Sequence, residues 1–266
     1  VEWKYLVGGA EVSYAVDVRE LTVAYDERIV LDQISWQVKA GSLAAVIGPN
    51  GGGKSTLLKS LLHLIKPVSG KIRIFGQEPR QARHQIAYLS QAEEVDWDFP
   101  ISCFDVVLQG RLVRLKWWQR PGREDREAAM ESLRIVGMEA FAKRPIGSLS
   151  GGQKQRVFIA RALAQQAKLI ILDEPAAALD APAQHQLLDL FIELKDLGHT
   201  VVIATHDLNC LAAGFDSVLG LNTRVVLFGS PVEVLDGDTL TKLFAKHFPI
   251  IGPRGEVAMH EFPVDN

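Results

Sequence analysis

Cysteine is nearly absent from this chain, and so is any long apolar run. Its 266 residues hold two cysteines, Cys103 and Cys210. They lie far apart in no metal-like spacing, which excludes a disulfide scaffold and suits a reducing compartment. The longest stretch without Asp, Glu, Lys or Arg runs from Ala40 to Gly53, and Gly and Pro break it. A spanning helix needs about 20 mainly apolar residues, so none is expected. Glu2 and Lys4 precede only a short apolar stretch, so no secretory leader is expected either. Strong charge of one sign is also missing: Lys plus Arg is 29, Asp plus Glu is 32, and the formal net charge is -3. Nothing makes the surface generally basic, which argues against a nucleic-acid partner. With 47% hydrophobic residues and low net charge, disorder is excluded as the main state. The expectation is a compact, soluble, cytosolic chain.

What is present is an alternation. From Asp17 the chain reads as strand, polar turn, strand (VDVRELTVAY, then ISWQVK). SLAAVIG, 42–48, is a short apolar run of the buried, parallel type. A glycine turn follows, then KSTLLKSLLHLI with Leu57, Leu58, Leu61, Leu62 and Ile65 on one helical face. LIILDEP and TVVIATH are two further buried-strand runs set among helical segments, which points to a parallel α/β sheet. Between Pro100 and about Gly147 strand runs vanish. EDREAAMESLRIVG there has helical spacing, with Gly137 placed as a C-terminal cap. This stretch reads as an all-helical insertion.

Three segments carry chemistry. Gly48-Pro49-Asn50-Gly51-Gly52-Gly53-Lys54-Ser55 matches G-x-x-x-x-G-K-[ST] at every fixed position. Backbone N–H groups must wrap a polyphosphate closely, and glycines permit both the curvature and the approach. The helix opening near Lys54 aims its N-terminus at the anion. Lys54 supplies charge to the β- and γ-phosphates, and the Ser55 hydroxyl suits Mg²⁺. A chance glycine turn is the competing reading, and the strand before and helix after argue against it. Leu169 to Glu174 is an apolar run ending in two acids, where α/β sheets bind ligands. Asp173 would hold Mg²⁺ and Glu174 would polarise an attacking water. Third, Leu149-Ser150-Gly151-Gly152-Gln153 opens a good helix, KQRVFIARALAQQ, with Ser150 as N-cap and two bare glycines. One nucleotide does not need two such helix starts within one subunit.

From Asp17 to about Pro249 the chain resembles ABC-type ATPases, the nucleotide-binding subunits of ABC transporters. GPNGGGKS resembles Walker A, LIILDE Walker B and LSGGQ the signature, in the family's order and spacing. The resemblance implies an α/β P-loop NTPase core with a parallel sheet, an N-terminal antiparallel β region and an all-helical insertion. It implies one domain over 17–249, with a helical subdomain at about 100–165 and terminal extensions 1–16 and 250–266. Gln91, in YLSQ, resembles the Q-loop glutamine that senses Mg²⁺ and the membrane partner. Asp180, in AALD, resembles the D-loop aspartate at the dimer seam. His206, in IATHD, resembles the switch histidine near the γ-phosphate. Tyr25, closing the first strand, resembles the aromatic that stacks on adenine. Each has a plainer competitor: strand-end packing for Tyr25, a solvated loop for Gln91, a helix cap for His206.

The implied sites follow. Glu174, His206 and Gln91 are the catalytic set. ATP is held by Tyr25, Gly48 to Gly53, Lys54, Ser55 and Thr56, and across a dimer seam by Ser150, Gly151, Gly152, Gln153 and Asp180. Ser55, Gln91 and Asp173 hold Mg²⁺. The reaction is ATP plus water to ADP plus phosphate. The implied partners are a second copy in a head-to-tail dimer, an integral-membrane permease and an extracytoplasmic substrate-binding protein. The implied place is the cytoplasmic face of the inner membrane, as a peripheral subunit. VDWDFP at 95–100 and LKWWQRPGREDRE at 115–127 resemble the importers of manganese, zinc or iron. That region would face the permease, with Trp97 exposed and with Trp117 and Trp118 in the core of the insertion. EPAAALD lacks that group's Phe-Ala-Gly form, and Gly52 stands where alanine is usual. Competing classes are an iron–sulfur assembly ATPase, a DNA-maintenance ATPase and an exporter subunit. The absent coiled-coil or zinc insertion and the slightly negative charge argue against DNA maintenance.

Overall fold

The first described elements are two long strands, β1 (Tyr14–Tyr25) and β2 (Arg28–Lys39). They pair antiparallel around the tight turn at Asp26, whose φ of 52° is left-handed. This computed structural model describes residues 13–90, 99–177, 179–206, 214–234, 243–244, 248–251 and 257–260. β3 (Leu43–Ile47) leads through the glycine turn into α1 (Lys54–Leu61). The helical pattern runs on to Ile65, but α1 stops at Leu61, and His63 turns left-handed at φ 56°. β4 (Ser69–Ile74), which the sequence reading passed over, pairs antiparallel with β1. The small sheet therefore has the order β2-β1-β4.

A short helix α2 (Pro79–Ala82) precedes β5 (Ile86–Leu89). Helices α3 (Cys103–Leu112), α4 (Arg123–Ile135) and α5 (Gly151–Ala164) then intervene before β6 (Leu169–Asp173). α6 (Ala181–Asp196) connects to β7 (Thr200–Thr205). β8 (Ser217–Asn222), β9 (Arg224–Gly229) and the one-turn helix α7 (Pro231–Val234) follow. β10 (Phe248–Ile251) and β11 (Val257–His260) form an antiparallel pair. The main sheet has the order β5-β6-β7-β3-β8-β9; all neighbours are parallel except β8 and β9.

Every residue of β3 and β6 is buried, so the two-residue period of a strand sorts them between two cores. Leu43, Ala45, Ile47, Ile170 and Leu172 join helices α3 to α6 on one face. Ala44, Val46, Leu169 and Ile171 join α1 and the small sheet on the other. The helical segment holds its own shape by an anchored start. The Asp125 carboxylate accepts from the Gly122 N–H at 2.9 Å and from Arg111 Nε at 2.8 Å, pinning α4 to α3. That Arg111 contact, with the Gly122 bond, holds the Asp125 carboxyl below the usual carboxylate range. Trp117 and Trp118 correct the expectation of a core position. They stand 92% and 62% exposed on the link between α3 and α4, edge to face at 5.5 Å, with Lys116 Nζ 5.4 Å from the Trp118 ring. No helix among the described residues is long and apolar enough to cross a membrane.

Candidate functional site

The turn between β3 and α1 is shaped by glycines whose own chain leaves no room for a side chain. Gly48 has φ 154°, and a Cβ there would lie 2.0 Å from the Leu221 carbonyl oxygen. A Cβ on Gly52 would lie 2.9 Å from that same oxygen and 3.0 Å from the Pro49 oxygen. Gly53, the residue before α1, is left-handed at φ 99°. The loop is braced by the β8–β9 turn, which the sequence reading missed. Thr223 N–H donates to the Gly52 carbonyl at 3.0 Å, and Asp32 N–H donates to Thr223 O at 2.8 Å. Arg224 Nε in turn donates to the Asp32 carboxylate at 2.8 Å.

Lys54 opens α1 and is 5% exposed. Its Nζ donates to the Gly48 carbonyl at 2.7 Å and the Pro49 carbonyl at 3.2 Å. Burial pushes its pKa below the ordinary lysine value, and the charges of Glu174 and Asp173 oppose that shift. Glu174 Oε1 lies 3.9 Å from Lys54 Nζ, and Glu174 Oε2 lies 3.4 Å from His206 Nδ1. Glu174 is held in the left-handed region at φ 50°, with its N–H donating to Ala204 O at 2.9 Å. A non-glycine residue there costs on the order of 1–3 kcal/mol, and such strain concentrates at working sites. Two adjacent parallel strands thus deliver the pair: β6 ends in Asp173 beside Ala204 of β7, which continues to His206.

Lys54 and Glu174 border one cleft of about 790 Å³. Tyr25 and the turn Asp26 to Arg28 form one end, and Pro49, Asn50, Gly51, Gly53, Lys54, Ser55, Thr56 and Glu174 the other. Tyr25 is 48% exposed there. Asp173 is buried. Its Oδ2 accepts from the Tyr88 phenol at 3.3 Å. Its Oδ1 is buried with no hydrogen-bond partner among the described residues. Tyr88 went unnoticed in the sequence, although it opens the YLSQ run. Burial, with the Asp173 charge added, pushes its phenol well above the ordinary tyrosine value. Gln91 and Trp97 lie outside the described residues.

A second cleft, of about 480 Å³, is lined by Ser150, Gly151, Gly152, Gln153, Arg156, Leu179, Asp180, Ala183, Gln186 and Leu187. It shares no lining residue with the first. Ser150 and Gln153 cap α5 reciprocally: Gln153 N–H donates to Ser150 Oγ at 3.4 Å, and Ser150 N–H donates to Gln153 Oε1 at 3.1 Å. Asp180 caps α6 through Ala183 N–H at 3.0 Å. Arg156, another residue the sequence did not single out, ties α5 to α6 through the Gln186 carbonyl at 3.3 Å. Gly151 and Gly152 differ from the first loop's glycines. A Cβ on either meets nothing closer than 3.4 Å, and neither has positive φ. No atom among the described residues accounts for them.

Known proteins with this arrangement can now be set beside it. The family model described as ABC transporter matches residues 31–177. A zinc transport system ATP-binding protein, TroB of Treponema pallidum (strain Nichols), is 42% identical over 250 residues, 92% of this chain and 94% of that protein. A manganese transport system ATP-binding protein, MntB of Bacillus subtilis (strain 168), is 45% identical over 231 residues, 87% of this chain and 92% of that protein. Among solved structures, a chain of an inward-facing transporter described as of metal-chelate ABC type has a TM-score of 0.80. It is 33% identical, covering 95% of this chain and 98% of that one. An ATP-binding cassette solved in its ADP conformation has a TM-score of 0.75 at 25% identity, over 86% of this chain and 94% of that one. On sequence and on fold alike, the chain belongs to the ABC transporter family, as one of its ATP-hydrolysing subunits.

Proposed function

We propose that this chain hydrolyses ATP to drive a metal cation, manganese or zinc, through a separate membrane permease. The cation class is inferred from the relatives named for manganese and zinc transport. The hydrolytic part is carried by one observation. The strained Glu174 presents its carboxylate between Lys54 and His206 at the glycine-loop cleft. In the reaction we infer, ATP lies with adenine against Tyr25 and its phosphates on the loop N–H groups and Lys54. Glu174 accepts a hydrogen bond from a water and aims its oxygen at the γ-phosphorus. The bond from that phosphorus to the bridging oxygen breaks, and ADP leaves with the electron pair. His206 is placed to donate to a γ-phosphate oxygen. Such chemistry depends on positioning and charge.

The cation implied for this reaction is Mg²⁺, and the residues present fit it. The orphaned, buried Asp173 Oδ1 is a hard donor lacking a partner among the described residues. Ser55, at the start of α1, adds a hydroxyl in the cleft. When bound, Mg²⁺ neutralises charge on the β- and γ-oxygens. Gln91 remains assigned to this site by resemblance.

We further infer that the second cleft serves another copy's ATP in a head-to-tail dimer. Support comes from the separateness of the two clefts and from Gly151 and Gly152, which nothing among the described residues explains. The exposed Trp117 and Trp118 suit a permease-facing side. We infer from the relatives' role in transport systems that the chain works at the cytoplasmic face of the membrane. An extracytoplasmic substrate-binding protein completes the inferred system. The test is Glu174→Gln, assayed in the complex with its permease. ATP binding is expected to persist while turnover falls at least a hundredfold. Wild-type turnover in that variant would remove Glu174 from the role.

A further inference from the structure

Tyr88 is the polar contact at the candidate cation site that no motif assigns. It stands on β5, two strands from β7 in the main sheet, and packs against the core on the α1 side, the face that Ile171 shares. Its backbone is level with Ile171, so the side chain reaches forward to the last residue of β6. There the phenol donates to Asp173 Oδ2 at 3.3 Å.

A carboxylate at the end of a strand can rotate about its last bond and exchange its two oxygens. One oxygen fixed by a donor leaves the other with a defined direction. In this structure the fixed oxygen is Oδ2, and Oδ1 is the buried atom left without a partner among the described residues. Lys54, the nearby cation, makes no hydrogen bond to Oδ1; its ammonium donates to the Gly48 and Pro49 carbonyls. The phenol is the donor that sets which oxygen is left over.

We propose that Tyr88 is a positioning residue for the divalent cation that accompanies ATP, orienting Asp173 so that Oδ1 is presented to it. This rests on the nucleotide reading of the first cleft. Tyr88 touches neither nucleotide nor cation and acts through Asp173. Removing its hydroxyl should weaken cation capture without changing how the loop binds phosphate. It should have no effect once Asp173 has lost its charge.

The experiment uses the full chain, a fluorescent ATP analogue and Mn²⁺ in place of Mg²⁺, so that bound cation is read by electron paramagnetic resonance as well as by nucleotide binding. In Tyr88→Phe the Mn²⁺ concentration that half-saturates the nucleotide complex is expected to rise roughly three- to tenfold, the range for one ordinary intramolecular hydrogen bond. Affinity for the analogue in the presence of a chelator is expected to be unchanged. Tyr88→Phe added to Asp173→Asn is expected to cost nothing beyond Asp173→Asn alone. An unchanged half-saturation point overturns the proposal. An equal loss with and without the cation, or additive effects in the double variant, also overturns it, by making Tyr88 a packing residue only. Failure of the wild-type chain to bind the analogue at all would instead overturn the nucleotide reading beneath it.

Discussion

Glycine has two different causes in this chain, and substitution separates them. At Gly48 the fold itself forbids a side chain: φ is 154° and the Leu221 carbonyl occupies the space. Gly48→Ala is expected to lower the melting temperature by roughly 4–8 °C, because the backbone of β8 must shift. At Gly151 the fold is indifferent, and alanine is a better helix former than glycine. Gly151→Ala is expected to melt within about 1 °C of wild type and yet to lose turnover. A thermal-shift measurement beside an ATPase assay of the complex reads both. A melting loss as large as that of Gly48→Ala would mean that Gly151 serves its own chain. Part of this was legible in the sequence. The fixed spacing of Gly48, Gly53, Lys54 and Ser55 is a pattern along the chain, and so is the run that ends at Asp173 and Glu174. The left-handed backbone of Glu174 and the reach of Tyr88 to Asp173 were not, because both depend on neighbours supplied by a different strand.

Among the elements, strands that are buried on both faces announced themselves, and half-exposed ones did not. β3, β6 and β7 are unbroken apolar runs. β4 reads SGKIRI, with only two of its residues buried, and resembles a loop until β1 is beside it. The Trp117-Trp118 pair misled for a related reason: aromatics suggest a core, but here the pair sits on an exposed link. In the three-helix segment the charged contact between Arg111 and Asp125 ties α3 to α4 and makes that junction sensitive to acid. Asp125 has a lowered folded-state pKa, from Arg111 and the Gly122 N–H. The stability it contributes is therefore present above the ordinary aspartate pKa and lost as pH falls through the folded value. Asp125→Asn is expected to melt below wild type at pH 7. The gap should close as pH falls below about 4, where the wild-type carboxyl takes up its proton. Melting curves of both proteins across that range check it, and a gap that persists in acid would count against the contact.

At the level of the whole molecule, the two clefts of one chain share no lining residue, which supports the proposal that a second copy completes each site. Ser150→Arg would fill the second cleft with a bulky cation while leaving the first untouched. The isolated variant is expected to bind a fluorescent ATP analogue as the wild type does, and the assembled complex to lose ATPase activity. Retained activity in the complex would argue against a site shared between copies. The second helix start was legible in LSGGQ, but which side of the molecule it faces was not, since that is decided by how α5 packs against α3 and α4. Lys54 leads furthest from these descriptions. Its ammonium is already out of water, resting on two carbonyls of its own loop. On the proposed reading, an arriving phosphate strips little hydration from it and trades places with the Gly48 and Pro49 oxygens. Most of that cation's dehydration was completed when the chain folded, so the proposed nucleotide would meet a charge already nearly dry.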